Sequence, residues 1–182
     1  MPVSGCSMHG PLMGVIVHLL CRLLQSKVDE LAPQGSNRRL LLVGDGPLRS
    51  DLESWAAKCG PQQVQLLGWR PDVASLMASS RLVVLPSRYE GMPNVILEAM
   101  ASGKPVVCSR VEGSHELLRH DWLQQTFEVG DNQQMMLLVS RFLENASIAN
   151  ATGAANQPLC NQLTNQLVNQ TDLRSDSYKK CS

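Results

Sequence analysis

The sequence predicts an α/β fold in which a parallel sheet carries helices on both faces. Between about residues 14 and 139, strand-like and helix-like stretches alternate, and the connections between them are short. The strand-like stretches are apolar at consecutive positions, as in residues 39–43, which is typical of strands covered on both sides. Strands that alternate with helices in this way lie parallel, with right-handed crossovers.

Local signals place the elements in order. Pro47 suits the first turn of a helix through residue 58, and Asp72 is expected to cap the next helix with its side chain. Gly103 is a typical C-terminal glycine for the helix that follows Pro93. The expected helices cover 15–31, 47–58, 73–78, 93–101, 114–118 and 133–143, and the expected strands cover 39–43, 64–67, 82–85, 105–108 and 127–129.

The composition is that of an ordinary globular domain with a polar tail. The chain has 182 residues, of which 43% are hydrophobic, so it can bury a sizeable core. We expect a domain over residues 12–145. An Asn/Gln-rich tail, partly helical or disordered, is expected over residues 146–182, with the last dozen residues disordered.

Charge and cysteine usage exclude several classes of protein. Lysine plus arginine equals aspartate plus glutamate at 16 each, which gives no footprint for nucleic acid and does not suggest adhesion to anionic membranes. The six cysteines lack zinc-ligand or C-x-x-C spacing, so reduced thiols in a cytoplasmic protein are expected. The apolar segment 12–21 is too short for a membrane span and follows no basic residue, so a secretion signal is not expected.

Two glutamates eight positions apart, Glu90 and Glu98, are the candidate functional residues. An apolar strand at 82–85 precedes them, and the helix opened by Pro93 carries the second. A carboxylate in the strand-to-helix loop and another about one turn into the helix can converge on one crevice. That crevice lies at the carboxyl edge of the sheet, where open α/β folds bind ligands.

The loop between these glutamates suits a phosphate group. Gly91 lets the backbone approach a ligand closely, and a helix N-terminus offers unpaired donors and partial positive charge. A carboxylate beside a phosphate makes sense if it accepts hydrogen bonds from sugar hydroxyls, as one carboxylate can from both hydroxyls of a ribose. The expected backbone donors are the N–H groups of Gly91, Met92, Asn94 and Val95.

The run from Glu90 to residue 107 resembles the E-x7-E signature of family 4 retaining glycosyltransferases, which have the GT-B architecture. Four further segments resemble family elements in order and spacing: LLVGDGPL at 41–48, LGWRPDV at 67–73, EGSHELL at 112–118 and FEVGD at 127–131. The resemblance covers about residues 39–143. It implies a Rossmann-like domain that forms the C-terminal, donor-binding half of a GT-B fold, whose first strand could be missing here.

The resemblance also implies residue roles. Glu90 would contact the hydroxyls of the donor sugar, and Glu98 would hold the ribose. Backbone groups near Trp69 and Arg70 would border the nucleobase. The segment from Gly91 through Pro93 to Asn94 would contact the sugar and diphosphate, with N–H groups from its residues other than the proline. Arg88 could offer the diphosphate some charge.

The implied reaction moves a sugar, of hexosyltransferase type, from a nucleoside diphosphate to an acceptor hydroxyl with retained anomeric configuration. No metal or other cofactor is expected, because helix dipoles and basic side chains stabilise the leaving diphosphate. The acceptor, a saccharide or lipid, would bind an N-terminal half that is absent from the sequence, and full-length members of the family could associate peripherally with membranes.

Two departures from the family pattern reduce the expected activity. The acceptor-binding half is absent, and residues 1–12 carry neither the Arg nor the Lys that the family places in the loop after the first strand of the donor half. We therefore expect a donor-binding half domain with little turnover by itself. A sheet that lacks its first strand would expose an edge, so poor solubility or self-association is expected.

Other functions remain as alternatives. Gly44 and Gly46 begin like a dinucleotide fingerprint, but Arg49 stands where the third glycine is needed, which disfavours NAD. A sugar-nucleotide epimerase of similar architecture fits the E-x7-E run less well. Two hypotheses remain open: a glycosyltransferase completed by an N-terminal half, and a non-catalytic or truncated module that binds a nucleotide sugar.

Overall fold

The computed structural model describes residues 13–18, 28–35, 37–87, 94–111, 113–118 and 122–179. The strands in these ranges are Met13–His18 (β1), Arg38–Val43 (β2), Val64–Gly68 (β3), Leu82–Leu85 (β4), Val106–Ser109 (β5) and Thr126–Phe127 (β6). The helices are Val28–Leu31 (α1), Arg49–Cys59 (α2), Val73–Ser79 (α3), Asn94–Ala101 (α4), Ser114–Leu117 (α5), Trp122–Gln125 (α6), Asn132–Glu144 (α7) and Ala146–Lys179 (α8).

The strands form one parallel sheet with the order β3-β2-β1-β4-β5-β6. The chain starts at the centre, moves outward to β3, and then returns to place β4 on the other side of β1. Val15 of β1 pairs with Leu40 of β2 on one side and with Leu82 of β4 on the other. This reversal between β1 and β4 is the topological switch point of a doubly wound sheet.

Two hydrophobic cores lie on the two faces of the sheet. Alternate residues of β2 divide between them, because successive side chains of a strand point to opposite faces. Leu40 and Leu42 share one core with α1, α2 and α7. Leu41 and Val43 share the other with α3, α4, α5 and α8. The predicted fold class, a parallel sheet with helices on both faces, is therefore confirmed.

The helix predicted over 15–31 is wrong, because residues 13–18 form the central strand β1. A short apolar run does not distinguish a buried strand from a buried helix by periodicity, and pairing on both sides decides this case. The β-branched residues Val15, Ile16 and Val17 were the local signal for a strand. The first strand of the domain is thus present.

The correction also removes one reason for expecting self-association, which itself stays a prediction. We predicted an exposed edge where the first strand was missing, but β1 is hydrogen-bonded to β2 and β4. The outer strands of the described sheet are β3 and β6 instead. β6 is shorter than the predicted strand at 127–129 and comprises two residues, Thr126 and Phe127.

The polar segment after residue 145, expected to be partly helical or disordered, forms the long helix α8, which continues through Lys179. Asn145 begins it, since the Asn145 Oδ1 accepts a hydrogen bond from the Ile148 N–H at 3.1 Å. An asparagine whose side-chain oxygen accepts a hydrogen bond from the backbone N–H three residues later is a favourable N-cap. This cap and the packing of α8 on α4 stabilise the helix.

We predict that Asn145→Ala lowers the free energy of unfolding by about 1 kcal/mol, because the Ile148 N–H loses its acceptor. Urea unfolding followed by circular dichroism measures the change. Asn150→Ala is the matched control, since Asn150 is an exposed asparagine inside the same helix. Equal stabilities for the two variants would contradict the capping role.

Candidate functional site

The candidate site lies at the carboxyl edge of the sheet, at the switch point between β1 and β4. These two strands are paired, with Val17 opposite Val84, and they end at His18 and Leu85. The next described helix after β1, α1, lies on one face of the sheet and α4 lies on the other. Open α/β sheets bind ligands at the point where successive connections diverge in this way. The helix α4 follows β4 in the chain, so its N-terminus faces this edge.

The helix α4 presents one polar face and one buried face. Asn94 and Glu98 are exposed and lie four residues apart, so they share a face of the helix. Ile96, Ala99 and Met100 are fully buried in the core. Within the described ranges, no side chain bonds to the Glu98 carboxylate, so its oxygens can accept hydrogen bonds from a ligand.

Several predicted site residues lie outside the described residues: Arg88, Glu90, Gly91, Met92 and Pro93. The convergence of Glu90 with Glu98 therefore stays a prediction. Asn94 and Val95 are the first two residues of α4, where the sequence places the last of the expected backbone donors.

A buried serine that sequence analysis missed fixes the start of this loop. Ser109, at the end of β5, is 1% exposed, and its hydroxyl donates to the Ser87 carbonyl. The Leu85 carbonyl lies 3.4 Å from the same hydroxyl. The strand end and the segment that precedes residue 88 are thereby held against β5. The available signal was a hydroxyl residue directly after an apolar strand.

The turns after β2 and β3 are joined on the other side of β1. The Gly44 N–H donates to the Gly68 carbonyl at 2.8 Å. The Arg49 side chain packs closely against Gly68, since a Cβ on Gly68 would lie 2.9 Å from the Arg49 Nη1. The Arg49 guanidinium bonds to Asp45 at 2.9 Å and to Glu53 at 2.7 Å. These bonds, first that to Glu53 and then that to Asp45, raise the pKa of Arg49.

Trp69 and Arg70 follow β3 at the same edge. Trp69 is 75% exposed, so it does not cover the sheet edge. The Arg70 guanidinium forms a bidentate salt bridge with the Asp72 carboxylate, with both N–O distances at 2.7 Å. The Arg70 guanidinium is thus occupied within its own turn.

The predicted capping role of Asp72 is wrong. Asp72 occupies the position before α3, but its side chain makes no capping hydrogen bond. The carboxylate bonds to Arg70 instead, because two charge-assisted bonds outweigh one bond to a backbone amide. The hydrogen bonds from Arg70 lower the pKa of Asp72.

The correction of β1 also moves the place where basic residues are expected. With a helix expected from residue 15, the arginine and lysine of the family pattern are expected before it, within residues 1–12. The segment that follows β1 in the chain, 19–27, carries both Arg22 and Lys27. These residues lie outside the described ranges, and recognising β1 as the first strand was the signal needed to find them.

Within the described ranges, no group of three or more His, Cys, Asp or Glu side chains is placed to hold a metal ion. No helix of these ranges is both long enough and apolar enough to cross a membrane.

Comparison with known proteins identifies similar sequences. A model of the family "Glycosyl transferases group 1" matches residues 17–145. The chain is 36% identical over 93 residues to an Escherichia coli UDP-Gal:α-D-GlcNAc-diphosphoundecaprenol α-1,3-galactosyltransferase, covering 50% of this chain and 24% of that protein. It is 25% identical over 152 residues to the lipopolysaccharide core biosynthesis glycosyltransferase LpsD of Rhizobium meliloti, covering 81% of this chain and 44% of LpsD. The chain thus spans less than half the length of either relative.

Solved structures give the same relationship. The Anabaena protein Alr3699/HepE, crystallised with UDP and glucose, superposes with a TM-score of 0.71 at 26% identity. The match covers 91% of this chain and 49% of the Anabaena chain. The same protein has also been crystallised with UDP-glucose.

We predict that Gly68→Ala destabilises the native chain by about 0.5–2 kcal/mol more than it destabilises an Arg49→Ala background. The left-handed backbone at Gly68, with φ of 63°, penalises alanine equally in both. Only in the native chain would the added Cβ also clash with the Arg49 guanidinium. Thermal unfolding of the four variants measures the difference, and equal penalties would refute the contact between Gly68 and Arg49.

We predict that the Asp72 carboxyl titrates below its ordinary value of 3.8, because Arg70 bonds to the charged form. The pair therefore stabilises the folded chain fully at pH values above 3.8. This stabilisation is lost as the pH falls through the lowered pKa of Asp72. Carbon-13 NMR of the carboxyl group measures the titration. Arg70→Gln should return the pKa toward 3.8, and an unchanged midpoint in that variant would rule out Arg70 as the cause.

Proposed function

This chain belongs to the family of group 1 glycosyl transferases, and we propose that it is the donor-binding part of a family 4 retaining enzyme. Such an enzyme transfers a sugar from a nucleoside diphosphate to an acceptor hydroxyl. The observation that carries the proposal is Glu98, an exposed carboxylate one turn into the helix α4 at the switch point of the sheet.

Glu98 is proposed to hold the ribose of the nucleotide. A ribose offers two adjacent hydroxyl donors, and a carboxylate with two oxygens can accept from both. No described side chain competes for those oxygens. Burial of the opposite face of α4 at Ile96, Ala99 and Met100 fixes the direction in which Glu98 projects.

The turn after β3 is proposed to border the nucleobase. Trp69 is exposed there and offers an aromatic surface, while the guanidinium of Arg70 is already paired with Asp72. Backbone groups of Trp69 and Arg70 would therefore make the polar contacts. The related Anabaena protein binds UDP, which makes uracil the first base to test.

The diphosphate is proposed to lie at the N-terminus of α4. Helix N-termini attract phosphate through unpaired N–H groups and the helix dipole. Gly91 to Asn94 would supply the N–H groups, and Arg22, Lys27 and Arg88 are candidate cations. Each contact of this kind to the leaving group contributes about 3 kcal/mol to transition-state stabilisation. With Arg22 and Lys27 after β1, a lack of cations is no longer a reason to expect little turnover.

Glu90 is proposed to contact the hydroxyls of the donor sugar and so to orient the sugar for transfer. Because stabilisation of the leaving group is assigned to amides and basic side chains, we propose that transfer proceeds without a metal. A second candidate function is a nucleotide-sugar-binding module without transfer activity.

Calorimetric titration with UDP-, GDP- and ADP-glucose tests the binding role. We expect one nucleotide sugar to bind. We expect Glu98→Gln to weaken binding of that sugar nucleotide by about 1.5–3 kcal/mol, roughly ten- to a hundredfold, because a charge-assisted contact to the ribose is lost. Glu144→Gln is the control, since Glu144 is an exposed glutamate at the end of α7.

Equal affinity in the native chain and Glu98→Gln would remove the ribose role. Proton NMR of the sugar anomeric signal during incubation with a saccharide acceptor then separates the two candidate functions. A new glycoside with the anomeric configuration of the donor supports the retaining enzyme, and binding without any product supports the module.

A further inference from the structure

The helix α8 packs along α4, the helix that carries Glu98, although it lies beyond residues 17–145 matched by the family model. Its buried side at Cys160 belongs to the same hydrophobic core as Ile96 and Met100 of α4. The two helices therefore share one core on one face of the sheet.

A pair of buried amides anchors α8 beside α4. Asn156 and Gln125 are 4% and 1% exposed and bond to each other through both ends of their amide groups, at 3.0 and 3.2 Å. The Asn156 Nδ2 also donates to the Lys104 carbonyl at 3.1 Å, and the Gln125 Oε1 accepts from the Val106 N–H at 3.1 Å. The pair thus holds the connection between α4 and β5.

Three further contacts follow α4 toward Glu98. A Cβ on Gly153 would lie 2.0 Å from the Gly103 carbonyl oxygen, so only glycine permits the observed approach. The Gln157 Nε2 donates to the Ala101 carbonyl at 3.0 Å. The Cys160 Sγ donates to the Leu97 carbonyl at 3.4 Å, one residue before Glu98.

We propose that α8 sets the position of α4 and thereby of Glu98, with Asn156 as the principal positioning residue. The proposal rests on the proposed ribose role of Glu98. With eight residues, α4 is about 12 Å long, so a shift at its C-terminal end moves the whole helix. Hydrogen bonds have preferred directions, so the amide pair fixes one register of α8 along α4, whereas apolar contacts alone would tolerate sliding.

The test measures how well the protein discriminates between UDP and 2′-deoxy-UDP, because the proposed contact of Glu98 with the ribose uses the 2′-hydroxyl that 2′-deoxy-UDP lacks. The guanosine pair replaces them if GDP binds more tightly than UDP. We expect Asn156→Ala to weaken UDP binding by about three- to thirtyfold. Binding of 2′-deoxy-UDP should change much less, so the preference for UDP falls. Gln157→Ala should reduce the preference in the same direction with little effect on folding, since Gln157 is exposed.

Asn161→Ala, an exposed position on the same helix, is the control and should retain the native preference. A folded Asn156→Ala or Gln157→Ala variant with the native preference would overturn the positioning role, even if its melting temperature falls. Failure of the native chain to prefer UDP over 2′-deoxy-UDP would instead contradict the ribose role of Glu98 on which the proposal rests.

Discussion

The structure depends on the pairing of β1 with β2 on one side and β4 on the other. β1 connects the two halves of the sheet. It runs parallel to both neighbours, with six paired residues on β2 and three on β4. Open α/β sheets bind ligands where the strand order reverses, so this strand order places the proposed crevice at the carboxyl edge between β1 and β4.

Polar contacts then fix the turns around that crevice. The Ser109 hydroxyl holds the end of β4, and the Gly44 N–H joins the turns after β2 and β3. Arg49 and Arg70 are each paired with carboxylates in their own turns. Their charges therefore stabilise these turns and are less available to a ligand. Among the described groups, Glu98, the N-terminus of α4 and the backbone of the turn after β3 are the ones that we propose to contact a nucleotide.

Charged groups at the opposite edge have a different role. Lys104 lies at the amino-terminal edge of the sheet, just before β5, and its pKa is lowered by burial and by the nearby Arg81. Arg81 extends its Nε to 3.5 Å from the Phe142 carbonyl near the end of α7. Cations near helix C-termini interact favourably with the helix dipole. The Lys104 side chain is half-buried, so it is not a fully solvated charge at the end of α4.

The sequence by itself determined the alternation of strands and helices after residue 38, the buried strands at β2 and β4, and the position of Glu98 one turn into α4. Each depends on local signals, namely apolar runs, a proline or a C-terminal glycine. Tertiary structure alone decided that residues 13–18 form a strand, that the Asp72 carboxylate pairs with Arg70 instead of capping α3, and that the amide-rich segment after Asn145 packs on α4. These outcomes depend on partners distant in sequence or on competing bonds, and the Asn156–Gln125 pair spans 31 positions that no local pattern connects.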